Sequence, residues 1–282
     1  MMAISNFIPD LWSARLIANL DLATVITLGA NTNYEGEIRN VGDSVKIQQP
    51  GSITVNSYPA SADITYESPT STTKTLSVDQ DKYWAFTVDD LDAVQANVNL
   101  VDTYTQRAAV AIAEDVDKYL GSLYASQGAG DVTVDLTASS VDLYGTFVDA
   151  ALNLDENNVP RAGRWAIVTP VVHAALLEDT KFIQASDLGD QTVTTGAVGR
   201  VAGMDILVSN NLTESSSTST TSVMKCLYGT SDSMTYARQL LGQPEALRLE
   251  GRFEDAIRGR LAYGAVVVQP DALGTITATQ GA

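Results

Sequence analysis

The chain has one histidine and one cysteine among its 282 residues, so the side chains most often used for catalysis and metal binding are scarce. His173 stands alone, which excludes a site built on several histidines. It lies in a helix-like segment, where a structural or surface histidine is a better interpretation than a lone general base. Cys226 lies among apolar, strand-like residues, which favours a buried structural thiol over a nucleophile, and no intrachain disulfide bond is possible.

Two further clusters have the composition of binding sites without their spacing. Gly196, Gly199 and Gly203 lie close together but do not match a dinucleotide or phosphate loop, and no Lys-Ser or Lys-Thr pair follows. Acidic residues recur after residue 78, at Asp79, Asp81, Asp89, Asp90 and Asp92. Their spacing is not that of a calcium loop. Strand turns and a solvated acidic surface are the better interpretations, so we predict no cofactor, no metal site and no enzymatic activity.

One segment near the end of the sequence has the composition of a protein–protein contact. Opposite charges interleave there at Glu245, Arg248, Glu250, Arg252, Glu254, Asp255, Arg258 and Arg260. Every basic member is arginine, which pairs with carboxylates in a bidentate way and is enriched at interfaces. The alternative is a set of exposed ion pairs that add little stability. Because the neighbouring residues are apolar and strand-like, we favour an interface and take the seven residues from Arg248 onward as candidate intersubunit contacts.

The overall composition limits the partners of the chain. There are 34 acidic and 17 basic residues, for a formal charge of −17, and such a chain repels nucleic acid backbones and anionic membranes. The hydrophobic fraction of 45% indicates a packed core. The first 30 residues do not have the pattern of a signal peptide, and the apolar run over 262–268 is too short for a bilayer. We therefore expect no membrane partner and no sequence-specific binding of nucleic acid.

The first half of the chain divides into an arm, a β excursion and a long helix. Residues 1–34 have a helical tendency but little to pack against. Apolar residues at mostly even spacing over 35–88 predict two β stretches around a Ser/Thr/Pro-rich middle. An isolated two-stranded ribbon is marginal in water, so this one packs on its own domain or on another subunit. Apolar residues every three or four positions predict a helix of about 35 Å over 102–126.

The second half mixes short helices and strands. A second helix is predicted to begin at Ser139, with Asp142 completing a capping box. Its predicted apolar face is Tyr144, Phe147, Val148, Ala151 and Leu152. Residues 165–168 predict a short buried strand, and Pro170 starts a third helix. A strand pair around Gly203, a mobile Ser/Thr-rich loop over 213–222, and strands over 223–228 and within 246–268 follow. The fold class is α+β.

Three stretches carry a resemblance to a known family. They run from Asn157 to Asp179, from Gly199 to Leu212 and from Phe253 to Leu273. Their order and spacing are similar to the central helix–turn–strand–helix, the glycine-centred strand and the last strand of tailed-bacteriophage major capsid (coat) proteins. That family has the Hong Kong 97-type fold. The resemblance covers nearly the whole chain.

The resemblance implies an organisation and a function. It implies an N-terminal arm (1–34), an extended β loop over an adjacent subunit (35–88), a peripheral domain with a spine helix (89–138), an axial domain (139–240) and a peripheral β segment (241–282). Such a chain self-assembles as hexamers and pentamers into the icosahedral head shell around double-stranded DNA. It is then a virion protein that assembles in the host bacterial cytoplasm.

The resemblance also suggests partners and leaves alternatives. A portal is expected, and a separate scaffolding protein is expected because no long charged helical prefix precedes the arm. The DNA would be enclosed and not read. Lys46 and Lys74 lie in or near the loop, but no cross-linking partners can be assigned, so no covalent cross-link is predicted. The alternatives are an encapsulin-like nanocompartment shell protein, a tail tube or decoration protein, or an enzyme that relies on carboxylates such as Glu254 and Asp255.

Overall fold

The structure is a computed structural model. It describes residues 24–34, 44–51, 53–57, 66–68, 70–89, 100–138, 141–179, 199–212, 214–218, 221–240, 245–248, 251 and 254–281. The helical tendency predicted before residue 24 lies outside these ranges. So do the candidate contacts Glu250 and Arg252.

The described chain contains thirteen strands and three α-helices. In chain order they are β1 (Ser44–Pro50), β2 (Ser71–Ser77), β3 (Gln80–Asp89), α1 (Leu100–Gly121), β4 (Asp131–Asp135), α2 (Leu143–Glu156), β5 (Arg164–Val168), α3 (Pro170–Glu178), β6 (Arg200–Val201), β7 (Met204–Val208), β8 (Glu214–Thr218), β9 (Thr221–Thr230), β10 (Met234–Leu240), β11 (Glu245–Arg248), β12 (Glu254–Val267) and β13 (Leu273–Gly281). Short 3-10 helices cover Ile26–Gly29, Ser122–Ser126 and Pro270–Ala272. This mixture confirms the predicted α+β class.

A seven-stranded mixed sheet holds most of the core. Its order is β4-β13-β9-β5-β7-β6, with β8 attached to β9. Strand β5 is buried along its whole length, because the sheet is covered on both faces. Tyr228 of β9 faces α2, where its hydroxyl accepts a hydrogen bond from Asn153. Trp165 of β5 faces the other side and lies against Gly29 in the first 3-10 helix. The predicted buried strand over 165–168 is confirmed.

A second sheet of four strands is built on β12. Strand β3 pairs with residues 254–263 of β12, while β10 and β11 pair with β12 along its opposite edge. The two-stranded ribbon within the predicted loop is therefore β1–β2, and β3 belongs to this sheet. Each sheet draws strands from more than one predicted range, since β13 joins the seven-stranded sheet and β10 the four-stranded one.

Helix α1 contacts both sheets. Its buried side comprises Ala109, Ile112, Ala113, Val116 and Leu120. Near its middle, the hydroxyl of Tyr263 on β12 donates to Asp115, with an O–O distance of 2.6 Å. One turn of 3-10 helix, Ser122–Ser126, continues α1. This element corresponds to the helix predicted over 102–126, and Tyr263 connects the last part of the chain to it.

A buried carboxylate on α1 holds the described part of the predicted arm, which therefore packs on its own chain at Val25 and Ile26. Asp117 is fully buried and accepts hydrogen bonds from the backbone N–H groups of Val25 and Ile26, at 3.1 and 3.2 Å. Burial raises the pKa of Asp117, and these hydrogen bonds oppose the rise. The contact fixes the start of the Ile26–Gly29 turn against the helix, and Ile26 fills the core beside it.

The ribbon is attached at its root and exposed further out. Ile47 of β1 and Leu76 of β2 pack with Val78, Ala262 and Val268 in a separate small core. Beyond the root, Val55 and Tyr66 are almost fully exposed and Ile53 is 74% exposed. The root therefore packs on its own domain, and packing of the outer residues on another subunit stays a prediction.

Three sequence predictions for the second half were wrong. The capping residue of helix α2 is Asp142, and not Ser139 as predicted. The carboxylate of Asp142 accepts a hydrogen bond from the Gly145 N–H at 2.8 Å. Aspartate caps as well as serine and lies directly before the first buried helical residue, Leu143. Over 214–222 the described residues form β8 and the start of β9 as an antiparallel pair, and not a mobile loop. The β-branched threonines that looked loop-like also favour strands.

The third error concerns the buried face of α2. The side that packs on the sheet is Leu143, Thr146, Phe147, Ala150 and Leu154. Of the predicted apolar face, Tyr144, Val148 and Leu152 are exposed instead. Alanine and threonine are weak markers in a hydrophobicity pattern, so the sequence assigned burial to the larger apolar residues one step around the helix.

The close approach of the ribbon to β12 can be tested at Gly264. A Cβ at this position would lie 2.0 Å from the backbone oxygen of Ser77, so β12 and the ribbon root would have to separate. We expect Gly264→Ala to lower the free energy of unfolding by about 1–3 kcal/mol, measured by urea denaturation. Gly199→Ala is the control, since nothing lies within 4 Å of a Cβ there. Equal urea midpoints for the two variants would contradict this packing.

Candidate subunit interface

The two faces of the four-stranded sheet differ in character. On β12, Ile257 and Leu261 are buried toward α1, whereas Arg258 and Arg260 alternate with them and are exposed. Strand β3 follows the same alternation, with Phe86 facing the helix, where its ring lies 5.5 Å from that of Tyr104. One face of the sheet thus packs against α1, and part of the other is not covered by any residue that the structure describes.

We call this uncovered area the open face. Among described residues it comprises Asp81, Tyr83, Ala85 and Thr87 of β3, Leu247 of β11, and Arg258 and Arg260 of β12. The side chain of Tyr83 is 83% exposed and that of Leu247 is 42% exposed. An exposed tyrosine and leucine beside two arginines match the composition of protein interfaces, in which tyrosine and arginine are enriched.

The best-defined polar contact on the open face is an ion pair. The guanidinium of Arg260 is bidentate to Asp81, with the Nε–Oδ1 distance at 2.7 Å and a shorter Nη2–Oδ2 contact. The hydrogen bonds from Arg260 hold the pKa of Asp81 below its usual range, and Asp81 raises the pKa of Arg260. Asp81, which the sequence assigned to a solvated acidic patch, therefore orients an arginine on this face.

The strand register accounts for part of the charge alternation. Glu245 lies opposite Arg258 in the strand register, and Arg248 lies opposite Asp255, so residues of opposite charge occupy paired positions on β11 and β12. Glu254 begins β12. The structure thus brings five of the seven candidate contacts into two adjacent strands and places Arg258 and Arg260 together on the open face.

The sequence did not reveal the apolar members of this face. Tyr83 and Leu247 look like ordinary strand residues until the partner strands are known. The period-two spacing of Asp81, Tyr83, Ala85 and Thr87 shows that they share a face, but not which face. A strand pattern alone does not identify what the strand pairs with.

The described residues also limit the chemistry of the chain. Cys226 is fully buried in β9, and His173 is partly buried on α3. Burial, together with the neighbouring Asp79, raises the pKa of Tyr119 to about 12, and burial and Asp115 raise the pKa of Tyr263. Both phenols therefore stay protonated at neutral pH. Within the described ranges no group of three or more His, Cys, Asp or Glu residues could hold a metal ion, and none of the described helices has the length and apolarity to cross a bilayer.

Solved structures with a similar arrangement of sheets and helices include a phage capsid and a virus-like particle. The chain is 27% identical to a protein of Mycobacterium phage Che8, with a TM-score of 0.72 and 90% of each chain covered. The capsid of cyanophage P-SCSP1u matches with 18% identity, a TM-score of 0.71, and coverage of 88% of this chain and 85% of that one. A virus-like particle from Pyrococcus furiosus shares the fold at 13% identity and a TM-score of 0.58, over 93% and 96% of the two chains. The chain thus shares its fold with a phage capsid protein and with a virus-like particle protein.

The sequence itself assigns the family. Residues 72–277 match the family model described as phage capsid protein, which is most of the chain. No curated protein matches with significant sequence similarity. The chain belongs to the phage capsid protein family, and the predicted resemblance to Hong Kong 97-type major capsid proteins is confirmed. It is a structural component of a bacteriophage capsid.

The ion pair on the open face predicts a pH dependence. The pKa of Asp81 is lower in the folded chain than in the unfolded one, so the pair stabilises the fold above the unfolded pKa, and this is lost as pH falls through the folded pKa. Arg260→Gln should slightly lower the urea midpoint at pH 7 and leave it unchanged near pH 2. Lys74→Gln on the ribbon is the charge-matched control. A deficit of Arg260→Gln that persists at low pH would show that the arginine acts through packing.

Proposed function

We propose that this capsid protein assembles as hexamers and pentamers into an icosahedral head shell that encloses double-stranded DNA. The observation that carries the proposal is the open face, a sheet surface on which aromatic, aliphatic and arginine side chains are exposed among the described residues. A surface of this composition is expected at a contact that is made after folding. Membership of the capsid family supplies the partner, which is another copy of the chain.

The subdomain roles follow the same proposal. Helix α1 acts as the spine of a peripheral domain formed around the four-stranded sheet. The seven-stranded sheet with α2 and α3 acts as the axial domain, close to the hexamer and pentamer axes. The ribbon β1–β2 lies over an adjacent subunit, where the exposed side chains of Ile53, Val55 and Tyr66 would be buried. The support for this is their position beyond a root that is already packed.

The remaining partners are proposed from charge and from the family. With a formal charge of −17, the chain repels packaged DNA more than it binds it, so DNA would be enclosed without sequence-specific contacts. Assembly would take place in the host bacterial cytoplasm, with a scaffolding protein and a portal. The match to the Pyrococcus furiosus particle rests on the fold alone, so a nanocompartment shell is not favoured over a phage head. Neither a tail tube or decoration role nor catalysis is favoured.

The test is whether the chain builds shells. Negative-stain electron microscopy and sedimentation velocity on the expressed chain, alone and with the scaffolding protein of its phage, would show shells or free hexamers and pentamers if the proposal holds. A chain that stays monomeric under both conditions and over a range of salt concentrations would overturn it.

Charge reversal tests the contact at two positions: Arg258, which lies on the open face, and Arg252, a candidate contact outside the described residues. We expect Arg258→Glu and Arg252→Glu each to give soluble, folded protein that no longer forms shells, because a carboxylate would replace the guanidinium at the intersubunit contact. The measurement is particle yield by sedimentation velocity, with circular dichroism to establish folding.

A double variant separates the contact between chains from the one within the chain. In Glu245→Arg/Arg258→Glu the two register partners exchange charges, so their complementarity within the subunit is kept. We expect this variant to remain unable to assemble. Recovery of shells would show that Arg258 acts on its own β11, and wild-type assembly by both single variants would remove these arginines from the interface.

The ribbon provides an independent test. Deletion of residues Tyr58 to Thr72 removes the outer ribbon and leaves the root residues Ile47, Leu76 and Val78 in place. We expect a folded subunit with a cooperative thermal transition and a reduced yield of shells, because part of the surface that covers the neighbour, including Tyr66, is gone. If the deletion abolished folding, the outer ribbon would be part of the subunit core.

A further inference from the structure

Among the described residues, helix α2 carries a second exposed apolar surface. Tyr144, Val148 and Leu152 follow one another every fourth residue and are 37%, 42% and 52% exposed. This spacing aligns them along about 12 Å of the helix. We call them the α2 stripe. The helix already buries a separate face on the seven-stranded sheet, so the stripe is apolar surface beyond what the fold of one chain requires.

A groove runs beside the α2 stripe. It has a volume of about 380 Å³ and is lined by Val148, Ala151, Leu152, Asp155, Arg161, Arg164, Ala202 and Gly203. The last two form the turn between β6 and β7, where Gly203 has a φ of +84° and Ala202 a φ of +48°. The groove therefore has an apolar floor on the helix, a turn as one wall and charged residues as the other.

The charged wall is held rigidly. Arg164 is almost fully buried, and its Nη2 donates to Asp155 Oδ1 at 2.7 Å and to the Val159 carbonyl at 2.6 Å. Arg161 binds the same carboxylate through Nε at 3.2 Å and Nη2 at 2.6 Å, yet its side chain is 82% exposed. Hydrogen bonds from Arg161 and Arg164 hold the pKa of Asp155 low. Two guanidinium groups share one carboxylate, so this edge of the groove is locally positive.

The charge of the groove selects its occupant. A positive edge beside an apolar stripe complements a surface that is acidic and partly apolar. A second copy of this chain has that character, with 34 acidic and 17 basic residues. Nucleic acid would complement the charge but not the apolar floor. A shell also brings copies of the same chain together at high local concentration.

We propose that the α2 stripe and its groove receive a neighbouring copy of this chain within the capsomer. The contact is heterologous, since the groove meets a different, acidic surface of the neighbour, and successive contacts of this kind close into a ring. This inference rests on the proposed function, because it requires that the chain forms shells. It assigns the stripe to a contact distinct from the open face.

Photo-crosslinking in assembled shells identifies the occupant directly. Tyr144 is replaced by p-benzoylphenylalanine, an aromatic side chain of similar shape, and purified shells are irradiated. We expect a covalent species containing two copies of this chain, with the new bond mapped by mass spectrometry. A cross-link to any other virion protein, or none in shells that contain the label, would overturn the inference.

A pair of substitutions on one helix tests the energetic role of the stripe. Leu152→Gln removes apolar surface, and Asp149→Gln places the same residue at an exposed position outside the stripe. We expect Leu152→Gln to raise the protein concentration needed for assembly roughly five- to tenfold, as loss of about half a leucine side chain from an interface implies. Asp149→Gln should leave that concentration within about twofold of wild type.

The outcomes separate this inference from the proposed function. If the unmodified chain forms no shells or capsomers, the proposed function fails. If it forms them and Leu152→Gln, shown to be folded by its thermal transition, assembles at the wild-type concentration, only the role of the α2 stripe fails. The cross-linking result does not depend on whether Leu152→Gln folds.

Discussion

The packing of α1 against two different sheets is the constraint on which the rest of the described structure depends. Its middle is tied to β12 by the hydrogen bond between Tyr263 and Asp115, and the buried carboxylate of Asp117 captures the backbone that leads into Ile26. Removal of a carboxylate from water is unfavourable unless hydrogen-bond donors surround it. Asp117 therefore specifies one position for the first 3-10 turn.

Because α1 occupies one face of the four-stranded sheet, the other face has to find its cover elsewhere. The ribbon root covers part of it through Leu76 and Val78, and the open face is what remains. The same reasoning applies to α2, which buries one face and leaves its stripe exposed. The open face and the α2 stripe are both modest in area. Such surfaces suit a particle in which each contact is weak enough to be corrected during growth, while the many repeated contacts together hold the shell.

Sequence reasoning was accurate where the signal is local. The three- and four-residue spacing along α1, the continuous apolar run of β5 and the proline at the start of α3 each report on a few neighbouring residues, and all three elements were recovered. The cap of α2 was misplaced by three residues because Ser139 and Asp142 are equally good capping residues. The family was recognised from the order of three such local motifs.

The features that the sequence could not show depend on contacts between residues far apart in the chain. The sequence of residues 80–89 does not indicate that β3 pairs with β12 instead of extending the ribbon. Tyr83 therefore could not be assigned to a face of the sheet, and the ion pair between Asp81 and Arg260 could not be predicted. The apolar face of α2 was misassigned for a related reason. Apolar residues that will be buried by a neighbour look the same in a sequence as those buried by the chain itself. For the candidate contacts, the two-residue spacing of Arg258 and Arg260 in the sequence indicates that they lie on the same face of a strand. It does not indicate which residues lie beside them on that face.

The burial of Cys226 has a practical consequence. The chain contains no other cysteine, and this one lies fully inside β9, where bulky thiol-reactive reagents do not reach it in the folded state. A cysteine introduced at an exposed position would then be the sole reactive sulfur in each copy. The particle could carry a dye, a peptide or a second protein at one chosen point per subunit, with a regular spacing set by the lattice of the shell.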